Sequence, residues 1–600
     1  MSPTRTGLEP IADDLPAAAR VFNFNFGAET ITISDDGVAA NGKAFINSNV
    51  GGESVTFQVP TASITVNAGS GADLITLEDL DSSYLGTVVI NGDADNDDLT
   101  ATWANGSPLQ HGVVTWNGGA GTNTFALVGG AGFTTVTHDF TAGSLDVDAG
   151  NDFVYTGSNG TNLEDLASIN KVFNFTAGVD AVVIANDGAP SNNRDRLTTA
   201  GITLDFGRPT TAATFNGLAG NDTFKIEDLD NGDTHTLTVN GGDDNDIMTA
   251  DWANGAPALS RITFNGDAGG TNFDSLVMGA VGVGTATTVT HVYTNAFDGF
   301  VTVDGGTLTY TGLEPITDNL SATNRIFNFS GSADAIDFDF VPNAGQSIIS
   351  STGPTSETTT FTNPTGSLTI NGNGGDDTFN VEPALIYPIT VNGNGQAVAD
   401  TFTLDSASLG GGVKITLTES STTDGVYSFN SAHQPVTYTG MEIVSLRFSD
   451  PNAYPLATYP GDIWYPLHTE TGISIEPYFN WDIEHWPAPA HLSSLVTLRL
   501  DVSLNSDLSV PVFSTITKEN NVTALTSVVL PNTDHYITDV DNDVGIPLLN
   551  NKDYYWGLTA TLLSGDIFCQ VSRFKTIPAL LPALTYPKDA LTIPSLDFDF

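Results

Sequence analysis

A short turn rich in Asn, Gly and Asp recurs along this chain, and it constrains the fold more than any other feature. The copies lie at 66–73, 90–97, 215–222, 239–246 and 370–377. Each copy has a β-forming residue before it and an apolar run after it, such as 74–77 or 224–226. Within a block, neighbouring copies lie roughly 21 to 26 residues apart, a period typical of solenoids and arrays. Such a repeat predicts an extended molecule, whose function depends on length and surface more than on one pocket.

The composition excludes several classes of protein. The chain has 600 residues, 40% of them hydrophobic, which is too long for one ordinary domain and apolar enough for a core. Lys and Arg number 18 against 70 Asp and Glu, giving a net charge of -52. This charge argues against nucleic acid and anionic membranes as partners, and it favours divalent cations. The single cysteine, Cys569, cannot form an intrachain disulfide, and no apolar run approaches the ~18 residues of a transmembrane helix.

A longer repeat contains the short one. The hexapeptide Thr-Gly-Leu-Glu-Pro-Ile stands at 6–11 and again at 311–316. A similar aromatic strand lies near the start of each copy, at 21–24, 172–175 and 326–329. The period of about 150 residues is the size of a domain. We therefore predict three repeat blocks, which are 1–156, 157–311 and a shorter one at 312–446.

Nearly all of this region is predicted to be strand, because Thr, Val, Ile and Phe alternate in short runs between Asn-Gly, Gly-Gly and Asp-Gly pairs. Only Leu163 to Ile169 could form one helical turn. Two architectures fit: a parallel β-solenoid, or tandem β-sandwich domains throughout. Stacked rungs explain the reuse of one turn, since equivalent side chains then lie ~4.8 Å apart. We predict an all-β fold with parallel β-solenoid (β-helix) blocks in tandem, in which Asn67, Asn91 and Asn117 share one column.

The amino-acid composition changes past residue 446, where glycine becomes rarer and Pro, Tyr and Trp become commoner. Pro477–Trp481 resembles strand B of a fibronectin type III module, and Val496–Val502 resembles its strand C. Leu549 precedes Tyr555 by six positions, the spacing of that family's tyrosine corner. The resemblance implies a β-sandwich at 465–577.

Two further segments complete the predicted organisation. Residues 447–464 form a linker between the repeat blocks and the fibronectin type III-like domain. Residues 578–600 repeat the beginning of that domain, so we interpret them as the start of a truncated second module or as a strand donated to a partner.

The recurring turn also resembles, loosely, the calcium-binding Gly-Asp turns of RTX (hemolysin-type) repeats. Calcium prefers hard oxygen ligands, which stacked Asp side chains and backbone carbonyls supply. The resemblance implies a calcium site, with these metal-binding candidates: Asp73, Asp95, Asp97, Asp222, Asp244, Asp246, Asp376 and Asp377. RTX turns follow each other about every nine residues, whereas here one turn occurs per rung. The simpler interpretation stays open, in which Gly supplies positive φ and Asn or Asp caps the turn.

No catalytic constellation stands out. His138 and His291 lie at matching places in two blocks, and Trp103 and Trp252 do likewise. Repetition favours a shared packing role over a unique active site, because a site is a single constellation. We predict no enzyme activity, and carbohydrate binding or polysaccharide degradation by a β-helix is the alternative.

The whole pattern resembles giant bacterial cell-surface repeat proteins, in which acidic solenoid blocks join fibronectin-like modules. This resemblance implies an extracellular structural protein, such as an adhesin stalk, a surface-layer component or a filament subunit. The first residues contain no apolar segment, so no signal peptide is visible in this chain. Expected partners are other copies, neighbouring surface proteins or glycans, with no nucleic acid and no direct membrane insertion.

Overall fold

The computed structural model describes most of residues 10–447 and separate strands beyond them. Within 10–447 the gaps are 25–26, 51–53, 110–111, 149–151, 190, 230–233, 267–272, 281–283, 342–344, 353–355, 396–397, 407–408, 410–412 and 422. The described segments beyond are 470–473, 478–482, 495–505, 511, 513–519, 535–539, 553–562 and 567–576. The chain divides into two compact units, Met1–Asn371 and Gly372–Phe600.

The first unit consists of short strands joined by turns. The strands of its first part are Ile11–Asp13 (β1), Ala19–Asn23 (β2), Thr30–Asp35 (β3), Lys43–Ser48 (β4), Val55–Gln58 (β5), Ser63–Asn67 (β6), Leu74–Leu77 (β7), Thr87–Asn91 (β8), Asp98–Thr102 (β9), Val114–Asn117 (β10), Thr124–Asp139 (β11), Ser144–Val147 (β12) and Phe153–Thr156 (β13). The next strands are Thr161–Asn174 (β14), Ala181–Asn186 (β15), Arg194–Thr199 (β16), Ile202–Gly207 (β17), Ala212–Asn216 (β18), Thr223–Ile226 (β19), Thr236–Asn240 (β20), Ile247–Ala250 (β21), Ile262–Asn265 (β22), Ser275–Met278 (β23), Thr285–Tyr293 (β24), Gly299–Val303 (β25) and Gly306–Thr311 (β26). The unit ends with Ile316–Asp318 (β27), Ser321–Asn328 (β28), Ala335–Val341 (β29), Gln346–Ser351 (β30), Thr359–Thr362 (β31) and Ser367–Asn371 (β32). A 3-10 turn, Leu259–Arg261, precedes β22.

Two columns of parallel strands form the body of each repeat. In the first block, one column is β2, β6, β8, β10 and β13, and the other is β3, β7, β9 and β11. In the second block, one column is β14, β18, β20, β22 and β26, and the other is β15, β19, β21 and β23, which pairs on with β27 and then β31 of the third block. The recurring turn joins the two columns, so each rung contributes one strand to each.

Antiparallel hairpins interrupt the parallel columns at regular places. The triplets are β3–β4–β5, β11–β12–β13, β15–β16–β17, β24–β25–β26 and β29–β30–β31. Two junctions join successive blocks through parallel pairing: β11 with β14, and β24 with β28. These junctions hold the buried charges described below.

Alternation along each strand builds the core. In β6, Ile64 and Val66 are buried, and Ser63, Thr65 and Asn67 face the other side. The same alternation recurs in the neighbouring rungs, so apolar side chains stack on apolar side chains; Phe173 lies over Phe215 with ring centroids 4.9 Å apart. Each fully buried aliphatic or aromatic side chain contributes about 1.5–3 kcal/mol, which makes this inner column the main source of stability.

The second unit has two parts. The first part continues the same architecture, with Thr378–Val381 (β33), Ile389–Asn392 (β34), Thr401–Asp405 (β35), Lys414–Glu419 (β36), Gly425–Phe429 (β37), Val436–Thr439 (β38) and Ile443–Arg447 (β39). The second part contains Glu470–Ile473 (β40), Tyr478–Asp482 (β41), Leu495–Ser503 (β42), Phe513–Glu519 (β43), His535–Asp539 (β44), Asp553–Leu562 (β45) and Ile567–Thr576 (β46). In it, β43, β42, β45 and β46 pair antiparallel in that order, β46 also pairs in parallel with β36 and β40, and β41 pairs with β44.

The prediction of an all-β parallel solenoid is confirmed, and tandem sandwiches throughout are not what the chain forms. The helical turn predicted at Leu163 to Ile169 is wrong, because these residues lie inside β14, which pairs with β11 on one side and with β17 and β18 on the other. Sheet pairing on both edges overrides a weak local propensity.

Leu549, half of the proposed tyrosine corner, lies outside the described residues. In the described part, no helix has the length and apolarity needed to cross a membrane.

Candidate functional site: the stacked turn

An asparagine column runs along the end of the first strand in each rung. The side-chain Nδ2 of Asn67 donates to Oδ1 of Asn23 at 2.6 Å, Asn91 donates to Asn67 at 2.6 Å, and Asn117 donates to Asn91 at 2.7 Å. The hydroxyl of Thr156 closes the column by donating to Asn117 at 2.9 Å. Asn67, Asn91 and Asn117 therefore share one column, as the sequence predicted.

The second block repeats this column with the same ending. Its members are Asn174, Asn216, Asn240 and Asn265, with Nδ2–Oδ1 distances of 2.7, 2.7 and 2.8 Å, followed by the Thr311 hydroxyl at 2.9 Å. Asn371 donates to Asn328 at 2.7 Å at the end of the first unit, and in the second unit Thr439 donates to Asn392 at 2.7 Å. An amide can donate to one neighbour and accept from the other, which is why Asn suits every inner position and Thr suits the last.

A second column, of aspartates, lies at the other end of the turn. Oδ1 of Asp97 accepts the backbone N–H of Asp73 at 2.9 Å, and Oδ1 of Asp73 accepts the N–H of Glu29 at 2.7 Å. The second block repeats the pattern through Asp180, Asp222, Asp246 and Asp274, with N–Oδ1 distances of 2.7, 2.7 and 2.8 Å. In the second unit, Asp400 accepts from Asp377 at 2.8 Å. The carboxylates of Asp73, Asp97, Asp222, Asp246, Asp274 and Asp400 thus cap the turn of the neighbouring rung, whereas Asp180, at the end of its column, accepts from Thr176 in its own turn.

The other oxygen of these carboxylates is buried and, in the described part of the chain, lacks a hydrogen-bond donor. This holds for Oδ2 of Asp73, Asp97, Asp222, Asp246 and Asp400. Each Oδ2 of the last four faces the bare Cα of the turn glycine: a Cβ added to Gly92 would lie 2.6 Å from both Asp97 Oδ2 and the Gly118 carbonyl oxygen. Burial raises the pKa of Asp97 and of Asp222 to about 6, and burial with neighbouring carboxylates raises the pKa of Asp246 to about 7.

Three of the predicted site residues lie outside this buried column. Asp95 and Asp244 are exposed, and their Oδ2 atoms accept the N–H of Gly71 at 3.0 Å and of Gly220 at 3.2 Å in the preceding rung. Oδ1 of Asp376 accepts the N–H of Val398 at 2.6 Å. The outer aspartates therefore also link successive turns.

Glycine is required where these turns stack most closely. Gly121 has a φ of +119°, and a Cβ there would lie 1.9 Å from the carbonyl oxygen of Asp95. Backbone bridges join Ala94 to Ser70 on one side and to Ala120 on the other, so the stacking continues through the turn itself. A side chain at Gly121 would force the two rungs apart.

The predicted metal residues thus form two geometrically distinct sets. Asp73, Asp97, Asp222, Asp246 and Asp377 belong to the buried column, whereas Asp95, Asp244 and Asp376 lie on the outside of the turn. Sequence reasoning missed Asp180, which follows a turn of the usual length but different sequence, and Asp274 and Asp400, which follow lengthened turns. The signal available was an Asp placed two positions before an apolar strand residue, as in Val182, Leu276 and Phe402. Among the described residues, no three His, Cys, Asp or Glu side chains are placed to hold one metal ion.

Both block junctions contain a buried charge cluster that the sequence did not reveal. At the first junction, Nε2 of His138 lies 3.5 Å from the Glu164 carboxylate, which also forms an ion pair with Lys171. At the second, Nε2 of His291 lies 3.0 Å from the Asp318 carboxylate, which also pairs with Arg325. All six side chains are fully buried. Burial lowers the pKa of both histidines. Burial alone would raise the pKa of Asp318, but the neighbouring Arg325 and His291 lower it to about 2.

Solvent does not reach these clusters, and their histidines pack against aromatic rings. The ring of His138 stacks on Phe173 at 4.9 Å, and the ring of His291 stacks on Phe327 at 4.9 Å. The packing interpretation of the two histidines therefore agrees with their surroundings. Removing one partner of such a buried pair costs several kcal/mol, because it leaves a charge without compensation.

The repeated Trp-Ala-Asn-Gly turns also pack against the preceding rung. Nδ2 of Asn105 donates to Glu78 at 2.7 Å, and Asn254 donates to Glu227 at 2.5 Å. The Trp103 ring lies edge-on to Phe133, with centroids 6.1 Å apart. A cleft of about 430 Å³ beside this turn is lined by Asp35, Glu78, Asp79 and Asn105, among others.

Comparison with known protein families and curated proteins found no match.

Proposed function

We propose that this chain is a non-enzymatic structural protein of a bacterial cell surface, acting as an adhesin stalk, a surface-layer component or a filament subunit. The observation that carries the proposal is the pair of continuous side-chain columns. In the first block, the Asn column joins four rungs through bonds of 2.6–2.7 Å, and the second column, made of Asp73, Asp97 and then Asn123, joins the same rungs by accepting backbone N–H groups. Polar groups that could serve catalysis are instead committed to holding rungs together.

The charge distribution supports an extracellular setting. The net charge of -52 keeps so long a stack of strands soluble, and Lys and Arg number only 18, which leaves few sites for trypsin-like proteases. The antiparallel strand order β43–β42–β45–β46, with β41 and β44 paired separately, supports the fibronectin type III-like interpretation of the C-terminal part. Partners would be other copies, neighbouring surface proteins or glycans.

Calcium remains part of the proposal in a limited form. The buried column offers one carboxylate oxygen and one glycine carbonyl oxygen per rung, as at Asp97 and Gly118. Calcium requires six to eight oxygens, so a site here would need several water ligands. The hydrogen-bonding role of Oδ1 accounts for the aspartates without an ion, and we favour that role. If calcium bound the folded state alone, EDTA would lower the melting temperature of the chain; an unchanged value would remove calcium from the account.

The experiment that tests the proposed function is protease shaving of intact cells that express the full-length protein, followed by detection with an antibody to this chain. We expect the chain to be cleaved or released while cytoplasmic markers remain intact. Recovery of the uncleaved chain only after lysis would refute the surface location. A glycan array probed with the purified chain, with Trp103→Ala as the matched variant, tests the carbohydrate alternative: binding lost in the variant would favour it.

A further inference from the structure

The segment that starts each block occurs three times, and its Arg or Lys makes nearly the same contacts each time. In the first copy, Arg20 pairs with Asp13 at 2.5 Å, donates to the Leu15 carbonyl at 2.5 Å and lies over the Phe57 ring at 5.5 Å. In the third copy, Arg325 pairs with Asp318, donates to the Leu320 carbonyl and lies over the Phe361 ring at 5.4 Å. In the second copy, Lys171 pairs with Glu164 and donates to the Leu166 carbonyl at 3.1 Å.

The three copies differ in what covers their other edge. At the second copy, β11 of the preceding block pairs with both halves of β14. At the third copy, β23 pairs with β27, and β24 pairs with β28. The covering strands bring His138 and His291 onto the buried acid of each cluster. In the described part of the chain, β1 pairs only with β5 and β2 only with β6, so no described strand lies on the corresponding edge of the first copy.

The exposure of equivalent side chains records the difference. Leu15 is 73% exposed, whereas its equivalents Leu166 and Leu320 are 1% and 0% exposed. The Asp13 side chain is 32% exposed, whereas Glu164 and Asp318 are fully buried. Val21 is 58% exposed and lies beside this surface. An apolar edge with an ion pair already in place is thus available for a strand carrying a histidine.

We propose that the edge of β1 and β2, here called the N-face and defined by Asp13, Leu15, Arg20, Val21 and Phe22, is a docking surface for the last rung of another repeat block of this kind. The incoming strand would resemble Thr288–Val292: its histidine would stack on Phe22 and approach Asp13, and its neighbours would cover Leu15 and Val21. The residues at 6–11 are identical to those at 311–316, which link β26 of one block to β27 of the next, so a block attached through this sequence meets the N-face by the same linker.

The test is a chain with an added block. Residues 157–311 are placed directly before Gly7 of the full chain, so that Thr311 precedes Gly7 just as Thr6 does in the parent sequence. Hydrogen exchange is measured on the amides of Ile11–Asp13 and Ala19–Asn23. We expect exchange at least tenfold slower than in the parent chain, because these edge amides gain a parallel partner. The matched control carries His291→Asp in the added block only, which places a carboxylate against Asp13; we expect the protection to fall.

Three results would overturn the proposal. The first is unchanged exchange at 10–23 although the β19 and β21 amides of the added block are protected. The second is an added block whose own amides exchange freely. Its β23 and β24 should pair with β1 and β2, as they pair with β27 and β28 in the parent chain, so a block that does not fold there has found no docking surface. The third is protection of 10–23 in the parent chain that rises with protein concentration and disappears with Arg20→Glu, because a second copy would then be the occupant.

Discussion

The Asn column should be a measurable source of stability, and its inner members should contribute more than its ends. Asn91 donates to Asn67 at 2.6 Å and accepts from Asn117 at 2.7 Å, so Asn91→Ala removes two hydrogen bonds. Asn23 makes one bond to this column, as acceptor from Asn67. A net hydrogen bond contributes about 1 kcal/mol, so we expect losses of about 2 kcal/mol for Asn91→Ala and about 1 kcal/mol for Asn23→Ala.

The isosteric substitution separates hydrogen bonding from packing. Asn91→Asp keeps the size of the side chain and its acceptor for Asn117, but it replaces the donor to Asn67 with a second oxygen. We expect this variant to be at least as unstable as Asn91→Ala at pH 8, and to recover part of its stability below the pKa of the new carboxyl group.

The assay is urea unfolding of the full chain, followed by circular dichroism for the whole molecule and by hydrogen exchange for the amides of β6, β8 and β10. Because a repeat array can unfold in parts, the exchange measurement assigns the loss to the rungs that the substitution touches. Equal stability of Asn91→Ala and wild type within 0.5 kcal/mol, or a larger loss for Asn23→Ala than for Asn91→Ala, would refute the reasoning.

Three further predictions concern turns and buried acids. Gly121→Ala places a Cβ 1.9 Å from a carbonyl oxygen and should destabilise the chain by several kcal/mol in thermal melts, whereas Gly132→Ala, at a similar positive φ with no atom within 4 Å of the added Cβ, should show only the smaller backbone strain. The pKa of Asp246 rises to about 7 on folding, so its protonated form favours the native state, and its contribution to stability is lost as pH rises from about 4 to about 7. Asp246→Asn, which keeps the Oδ1 acceptor, should flatten that part of the curve of stability against pH. An unchanged curve would contradict the assignment. Burial among acidic neighbours raises the pKa of Glu357 to about 9, so Glu357→Gln should raise the melting temperature at pH 10 and change it little at pH 4, whereas a loss at both pH values would indicate a needed carboxylate.

The sequence predicted the solenoid because its turns recur with a period that only stacking explains. It also placed Asn67, Asn91 and Asn117 in one column, since each follows the same strand pattern. The direction in which the aspartates act was not predictable. Turn chemistry assigns an Asp to its own turn, but Asp97 caps the turn of Asp73, a rung away, and that depends on how the rungs are offset.

The junction clusters could not be predicted for a different reason. Glu164 and Lys171 are seven positions apart in β14, whose pairing with β11 shifts register between them, and His138 comes from the preceding block. Nothing in the local pattern distinguishes these charges from solvated ones. The comparison of equivalent positions, Asp13 with Arg20 and Asp318 with Arg325, would have revealed a repeated acid–base pair at constant spacing. Asp274 was missed because the turn before it is lengthened.

The central claim is that successive rungs stack in register, and disulfide formation tests it most directly. Thr65 and Val89 are register partners in β6 and β8, and both side chains lie on the outer, half-buried face. In a Cys569→Ser background, Thr65→Cys with Val89→Cys should cross-link readily, because partner Cα atoms lie ~4.8 Å apart. Thr65→Cys with Thr87→Cys, displaced by two residues on the same face, should not, since that displacement takes the Cα separation to ~8 Å, beyond the reach of a disulfide. Equal cross-linking of both pairs, or preference for the displaced pair, would contradict the stacked-rung account.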